Sequence, residues 1–492
     1  MQFGAPTDLT GRQVNEQQDQ MSDAPTTPPA RQILDLLKQG KKGKAYEAAR
    51  AALTANPVDQ DVMALLASLC VQKGELPQAE ALLRRSLGID PTTPTPWLNL
   101  GRLLQQLNRW GEALKLYEDA ARVFSQNETI RSTLGQLYQR AGRFAEAAEA
   151  FGAATALAPE KAASWMALGV VELRLENLDQ SIEALGKAIA LNPDSAAAYG
   201  NLGNALQKKG DMKGAEAAYK KALALDPKNG MVHVSLGMTK LRLDDPGEAA
   251  RIFERTLAAF GPERRAAAWL PFARAQDLGE MPMGTRAEIG KMVKRVSLET
   301  PEGFASLADF NAALAEALIA DETQVWEPAG KATRGGGQTG LLLDNPREPF
   351  ITFEKILRRA IDSHFDTLTV ERGHAFLGQI PRDYRIDLWG TLLAEQGHQH
   401  SHIHVGGWMS GVYYVALPST LGDGETSQDG WIEFGRPPPD FKPRFEPVTI
   451  SYEPREGDAF FFPSYLFHRT LPFTGQTKRI SLAFDIRPIS WR

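Results

Sequence analysis

Cysteine is nearly missing: Cys70 is the single thiol in 492 residues. One thiol closes no disulfide within the chain and builds no thiolate-rich zinc or iron–sulfur site, so nothing calls for an oxidising compartment. Long apolar runs are missing too. No stretch reaches the roughly 18 residues that a membrane helix needs. Residues 1–30 lack the basic-then-apolar order of a signal peptide. The expectation is a cytoplasmic chain with no membrane partner. An excess of basic charge is absent as well. Lys and Arg number 55 against 60 Asp and Glu, a net charge of -5, which argues against a dedicated nucleic-acid binder. Glycine (43) and proline (31) are too few for a low-complexity chain. By length alone, about three domains are expected.

Histidine is scarce but badly distributed. Seven of the eight lie after residue 360, and four of those, His398, His400, His402 and His404, alternate within one short stretch. The first half of the chain is instead periodic. Pro57, Pro91, Pro159, Pro193 and Pro227 keep a 34-residue spacing, with Ser125 in the one vacant slot. Leu100-Gly101, Leu134-Gly135, Leu168-Gly169, Leu202-Gly203 and Leu236-Gly237 keep the same period. A small residue recurs at Ala45, Ala79, Ala113, Ala147, Ser181, Ala215 and Ala249. Each unit reads as two amphipathic helices, apolar at i, i+3, i+4 and i+7. The glycine and alanines mark close helix approach, and the proline follows a helix that it cannot continue. The pattern resembles tetratricopeptide repeats, with about seven units over residues 28–280. Pro271 takes the glycine slot and ends the array. Such solenoids expose a long groove, so the expected partner is a peptide or protein.

Residues 1–27 are polar and aperiodic and read as a disordered leader, with Met21 an alternative start. Residues 281–370 read as a helical connector. Helices are expected over 285–298, 306–320 and 351–369, the second opened by Ser306 and Asp309 in a capping arrangement. The run Arg334-Gly-Gly-Gly-Gln-Thr339 lacks the Gly-Lys-Ser/Thr ending of a phosphate loop, so a flexible turn allowing close backbone approach is expected. From 371 to 492 the period becomes two. Strands are expected over 384–393, 398–405, 409–417, 430–435, 447–452, 458–463 and 479–487, which suits a jelly roll.

Alternate residues of a strand share a face, so a His-x-His pair at a strand end can grip one metal ion. Further on, Phe462-Pro-Ser464 leads to His468, and Arg479 follows at the start of another strand. A guanidinium forks onto a carboxylate through two parallel hydrogen bonds. His402-Ile-His404, then Ser410-Gly-Val-Tyr-Tyr414, then Phe462-Pro-Ser464 with His468 stand in one order. From about residue 335 to 489 the chain resembles bacterial 2-oxoglutarate- and iron(II)-dependent oxygenases, whose fold is a double-stranded β-helix.

The resemblance implies Fe(II), 2-oxoglutarate as co-substrate and O2. It implies oxidative decarboxylation to succinate and CO2 with hydroxylation of the substrate. His402 and His468 would be metal ligands. Arg479 would hold the far carboxylate of 2-oxoglutarate, with Tyr414 a candidate beside it and Ser481 a weaker one. The usual carboxylate ligand is replaced by His404. Either the site is three-histidine, or Glu395, Asp423, Glu425 or Glu433 completes it, or the register shifts to His400 and His402. Gly406, Gly407, Trp408 and Trp431 either shape the mouth or pack. A cupin-type metalloenzyme is the alternative enzyme reading. It expects an acid within Val405–Ser410, where none stands, and gives Arg479 no role. A non-catalytic repeat adaptor with a degenerate metal module is the other alternative.

Overall fold

The computed structural model describes residues 27–328, 330–474 and 478–491. The expected leader therefore lies, Thr27 apart, outside the described residues. The chain divides into two compact units, one ending at Pro227 and one beginning at Lys228.

In the first unit, twelve described helices run in antiparallel pairs. They are α1 (Pro28–Lys38), α2 (Lys42–Ala55), α3 (Gln60–Lys73), α4 (Leu76–Ile89), α5 (Pro94–Gln106), α6 (Trp110–Val123), α7 (Glu128–Arg140), α8 (Phe144–Leu157), α9 (Ala162–Arg174), α10 (Leu178–Leu191), α11 (Ala196–Lys209) and α12 (Met212–Leu225). Side-chain caps begin several of them: Asp59 accepts from Val62 N at 3.1 Å and Asn127 from Ile130 N at 3.0 Å. The periodic prolines stand two residues past the ends of α2, α4, α8, α10 and α12.

The periodic glycines answer to contact. A methyl on Gly203 would lie 2.5 Å from the ring of fully buried Tyr219, and one on Gly135 2.9 Å from Phe151. Ser181, the one hydroxyl in the alanine slot, is fully buried and donates to the Gly169 carbonyl at 2.7 Å. Two substitutions should therefore differ in sign. Gly203→Ala gains helix propensity but forces the Tyr219 ring aside, a net loss of about 1–3 kcal/mol. Gly186→Ala, at an exposed helix position with open space around it, should gain about 1 kcal/mol. Urea melts of both variants check this, and a stabilised Gly203→Ala would refute the close-packing account.

The second unit opens with α13 (Gly230–Arg242), α14 (Pro246–Phe260) and α15 (Arg264–Leu278). Pro271 lies inside α15, which continues past it. There follow α16 (Thr285–Met292), β1 (Lys294–Ser297), α17 (Leu307–Ile319), β2 (Val325–Trp326), β3 (Thr333–Gln338) and α18 (Phe350–Thr367). The remaining strands are β4 (Pro381–His402), β5 (Met409–Ala416), β6 (Ile432–Phe434), β7 (Ile450–Tyr452), β8 (Asp458–Pro463), β9 (His468–Thr470) and β10 (Arg479–Trp491). All pairings are antiparallel, in the order β1-β8-β5-β10-β4-β9-β6-β7, with β3 also on β4 and β2 on β3. This curled sheet is a jelly-roll, the double-stranded β-helix arrangement expected after the solenoid.

Alternation along the strands divides the apolar residues between two cores. Leu388, Leu392, Tyr413, Phe461, Leu482 and Phe484 pack on α17 and α18. Their neighbours Tyr414, Phe460 and Phe462, with Ile432 and Phe434, pack on the opposite, inner face. The inner face of β10 therefore carries Arg479, Ser481, Ala483 and Asp485.

Several local expectations change. The helix at 285–298 stops at Met292, and Lys294–Ser297 becomes β1 against β8. Arg295 Nε and Ser297 Oγ both bond to the Asp458 carboxylate, a tertiary contact that outweighs local propensity. The glycine run is a strand, β3, and not a turn. A methyl on Gly336 would meet the Leu392 carbonyl oxygen at 2.5 Å, so the glycines admit a neighbouring backbone. The runs at 384–393 and 398–405 are one strand, β4, broken in conformation at Gln396 with φ 59°. Three-residue β9, which starts on His468, was not among the expected strands.

Candidate metal centre

His402 ends β4 and stands opposite His468, the first residue of β9, in the ladder. His404 follows two residues later, its backbone N–H donating to the Ser464 carbonyl at 2.8 Å. The three rings close on one another, with centroids 4.3 Å apart for His402 and His468, 5.1 Å for His402 and His404, and 5.0 Å for His404 and His468. One nitrogen from each can be chosen so that all lie within 4.8 Å of one another.

Each ring is oriented through Nδ1. His402 Nδ1 bonds the His400 carbonyl at 2.8 Å, His468 Nδ1 the Leu466 carbonyl at 3.0 Å, and His404 Nδ1 the Asp485 carboxylate at 2.6 Å. These partners only accept, so Nδ1 carries a proton in every ring, and in a neutral ring Nε2 then keeps a lone pair. His402 Nε2 and His404 Nε2 face each other at 3.2 Å, and with both rings neutral they are two acceptors. A cation between them removes the conflict. Burial, reinforced by the neighbouring His404, pushes His402 down to about 3. Burial also holds His468 well below its ordinary value, with His402 and His404 adding to it. Both imidazoles are neutral at pH 7, the form that binds a metal.

Asp485 is buried, and Ser410 Oγ donates to its Oδ1 at 2.6 Å. Burial alone would raise its carboxyl. His404 and Ser410 outweigh that and hold it below the usual carboxylate range. A carboxylate fixing the far nitrogen of a ligating imidazole is the common support of metal-bound histidine.

Further along the same inner face stands Arg479, 2% exposed, whose Nε and Nη1 have no hydrogen-bond partner among the described residues. Its guanidinium carbon lies 5.1 Å from the Tyr414 ring centre. The Tyr414 hydroxyl and the Thr391 hydroxyl are likewise buried without a partner. Ser481 pairs in register with Thr391 on one side and Tyr414 on the other. A buried, unpaired guanidinium is costly and suits an incoming carboxylate.

The other candidates fall away from the cluster. Glu433 is taken by Arg436 and Arg469 at 2.7 and 2.6 Å. Asp423 accepts from the backbone of Glu425 and Thr426 in an exposed loop, and Glu395 is exposed. Among the described residues no acid joins the three histidines as a potential ligand. His398 and His400 lie ring against ring at 4.8 Å, outside the triad. Trp408 stacks on Phe376 at 4.3 Å and donates to its carbonyl, so it packs in the helix-side core and shapes no mouth. Half-buried Trp431 donates to the Gly422 carbonyl. Gly406 and Gly407 lie against Arg487 and Asp485. Sequence reasoning missed Asp485 and Thr391. The signal for Asp485 was its parity with Arg479 along one strand.

A family model described as "Putative 2OG-Fe(II) oxygenase" matches residues 387–485. Tetratricopeptide models match residues 31–94 and 92–160, and the repeat domain of cytochrome c-type biogenesis protein H matches 154–267. No curated protein matches the chain. Among solved structures, YrrB, described as a repeat protein with an unusual peptide-binding site, is 20% identical over 38% of this chain and 95% of its own, with a TM-score of 0.35. Pseudomonas aeruginosa PilF is 21% identical over 43% of this chain and 96% of its own, with a TM-score of 0.37. MamA from Desulfovibrio magneticus is 24% identical over 33% and 92%, with a TM-score of 0.32. Among the described residues no helix is long and apolar enough to cross a membrane. The chain thus combines tetratricopeptide repeats with a C-terminal region that matches the "Putative 2OG-Fe(II) oxygenase" model over residues 387–485.

Proposed function

We propose that the second unit is an Fe(II)- and 2-oxoglutarate-dependent dioxygenase that hydroxylates a peptide or protein recruited by the repeats. One observation carries the reading. A single curled sheet holds three imidazoles with one ring nitrogen from each within 4.8 Å of the others, and a buried guanidinium with unpaired N–H groups. When bound, Fe(II) with 2-oxoglutarate and O2 would supply C–H oxidation and leave succinate and CO2.

The chain's own residues do the rest. His402, His404 and His468 would hold the metal through ring nitrogens, and the dianionic co-substrate would offset its +2 charge. Asp485 keeps His404 in the binding tautomer. Arg479 forks onto the far carboxylate, with Tyr414 and Ser481 beside it. Phe434 and Phe462, whose rings lie 6.2 and 4.6 Å from His468, keep water from that side. A cytoplasmic setting suits a chain with one cysteine.

The test is succinate release from 2-oxoglutarate by the purified chain. Turnover should require Fe(II) and stop with a chelator. An iron-loaded protein that consumes no 2-oxoglutarate would sink the reading. The second reading, a non-catalytic metal module joined to repeats, draws on the imidazole at the usual carboxylate position and predicts that outcome. A cupin-type activity leaves the buried Arg479 without a partner.

A further inference from the structure

We infer that α15, through Arg264, Trp269 and Phe272, positions the loops that carry the three histidines. Arg264 is the positioning residue among them. The inference deepens the metal reading above and rests on it.

Three separate contacts converge on the ligand-bearing segments from behind. Arg264 Nε donates to the Gly407 carbonyl, three residues past His404. The same carbonyl accepts from Ser464 Oγ. Ser464 in turn offers its carbonyl to His404 N at 2.8 Å, and its N–H donates to the Trp408 carbonyl at 3.2 Å. Arg264 therefore grips the junction of the two loops that carry His404 and His468. Second, Phe467, immediately before His468, sits edge-on to Trp269 at 5.1 Å and Phe272 at 5.6 Å. Third, Ile403, between His402 and His404, packs into that same cluster with Met238, Leu257 and Leu270.

Alternation explains why these neighbours serve. Where the chain is extended, the residue next to an inward-facing histidine faces outward. Each ligand thus has a partner on the back that a helix can hold. The attachment is reinforced at its edge, where Gln276 Oε1 accepts from Arg444 N at 2.9 Å and Arg242 pairs with Asp440 at 3.0 Å. A metal site needs its ligands held within about 0.5 Å, which supporting contacts provide. Packing alone would be met by apolar residues. A half-buried guanidinium set on a main-chain carbonyl adds a directional hold that packing lacks.

The experiment titrates the full-length protein with Co(II), followed by its visible absorption. It compares wild type with Arg264→Ala, Arg264→Lys and Arg274→Ala. Arg274 pairs with Glu254 at the surface of the same helix and serves as the control. Arg264→Ala should lose about tenfold in Co(II) affinity. Arg264→Lys should recover part of the loss, and Arg274→Ala should match wild type. Hydrogen exchange on the metal-free protein supplies a second readout. Amides of residues 401–408 and 464–468 should exchange faster in Arg264→Ala, with unchanged protection in α17 and α18. Wild-type Co(II) affinity together with unchanged exchange in Arg264→Ala would overturn the inference. If wild type itself binds no Co(II), the metal reading fails, and the exchange result alone decides whether α15 holds these loops.

Discussion

His468→Ala should abolish metal binding and, with it, all 2-oxoglutarate turnover. His468 is 6% exposed and its ring touches those of His402 and His404 at 4.3 and 5.0 Å. With no carboxylate in the cluster, every ligand is an imidazole, and two that remain stand only two residues apart in the chain. They hold a metal from one side. The loss should exceed the roughly 10–100-fold that removal of an outer hydrogen-bond partner costs. Asp485→Asn gives that smaller effect in the same protein, because the amide still reaches His404 but no longer favours its binding tautomer. Isothermal titration with Mn(II) and a succinate assay check both variants, and near-UV circular dichroism verifies that the core is intact. Retained turnover in His468→Ala would remove it from the ligand set.

Arg479→Met should have the next largest effect, and two opposite signs. The guanidinium is buried with Nε and Nη1 unpaired. Burial lowers its pKa, so the ligand-free chain carries a penalty there. Replacing Arg479 with an apolar side chain of similar length removes the cost of keeping an incompletely paired charge out of water. The melting temperature of the ligand-free protein should rise. Affinity for 2-oxoglutarate should fall about 100-fold or more, since losing one partner of a buried pair costs about 3–5 kcal/mol. Arg479→Lys should recover little, because an ammonium lacks the planar fork. 2-Oxoglutarate at about 100 times the wild-type Kd should add about 2.7 kcal/mol to wild type and about 0.4 kcal/mol or less to Arg479→Met. A Met variant with unchanged KM for 2-oxoglutarate would end the assignment.

The repeats were legible because their defining contacts lie within one period. Gly203 meets Tyr219 from the next helix, so the spacing in the sequence is the spacing of the contact. The histidine cluster was legible for a similar reason. Alternation puts His402 and His404 together, and a nearly histidine-free chain makes the group stand out. What stayed hidden depended on distant register. Asp485 meets His404 across 81 residues, and nothing in either local segment announces the pairing. β1 and β3 owe their extended form to β8 and β4, not to their own residues; three glycines in a row have no strand preference. Even β9 consists of three residues whose pairing with β4 and β6 is the whole reason it is a strand.

The attachment of α13–α15 bears on how such a chain could be inherited or cut. The repeat period invites a boundary near residue 280, but a break there would leave Phe441, Phe445 and Phe467 bare and Gly407 without Arg264. A break before Lys228 leaves these contacts whole. Recombination upstream of that point would exchange one set of repeats for another and leave the histidine cluster and its supports unaltered. The last helices keep the repeat signature but pack in one unit with the β-domain, so a transferable module would be longer than the β-domain and shorter than the chain.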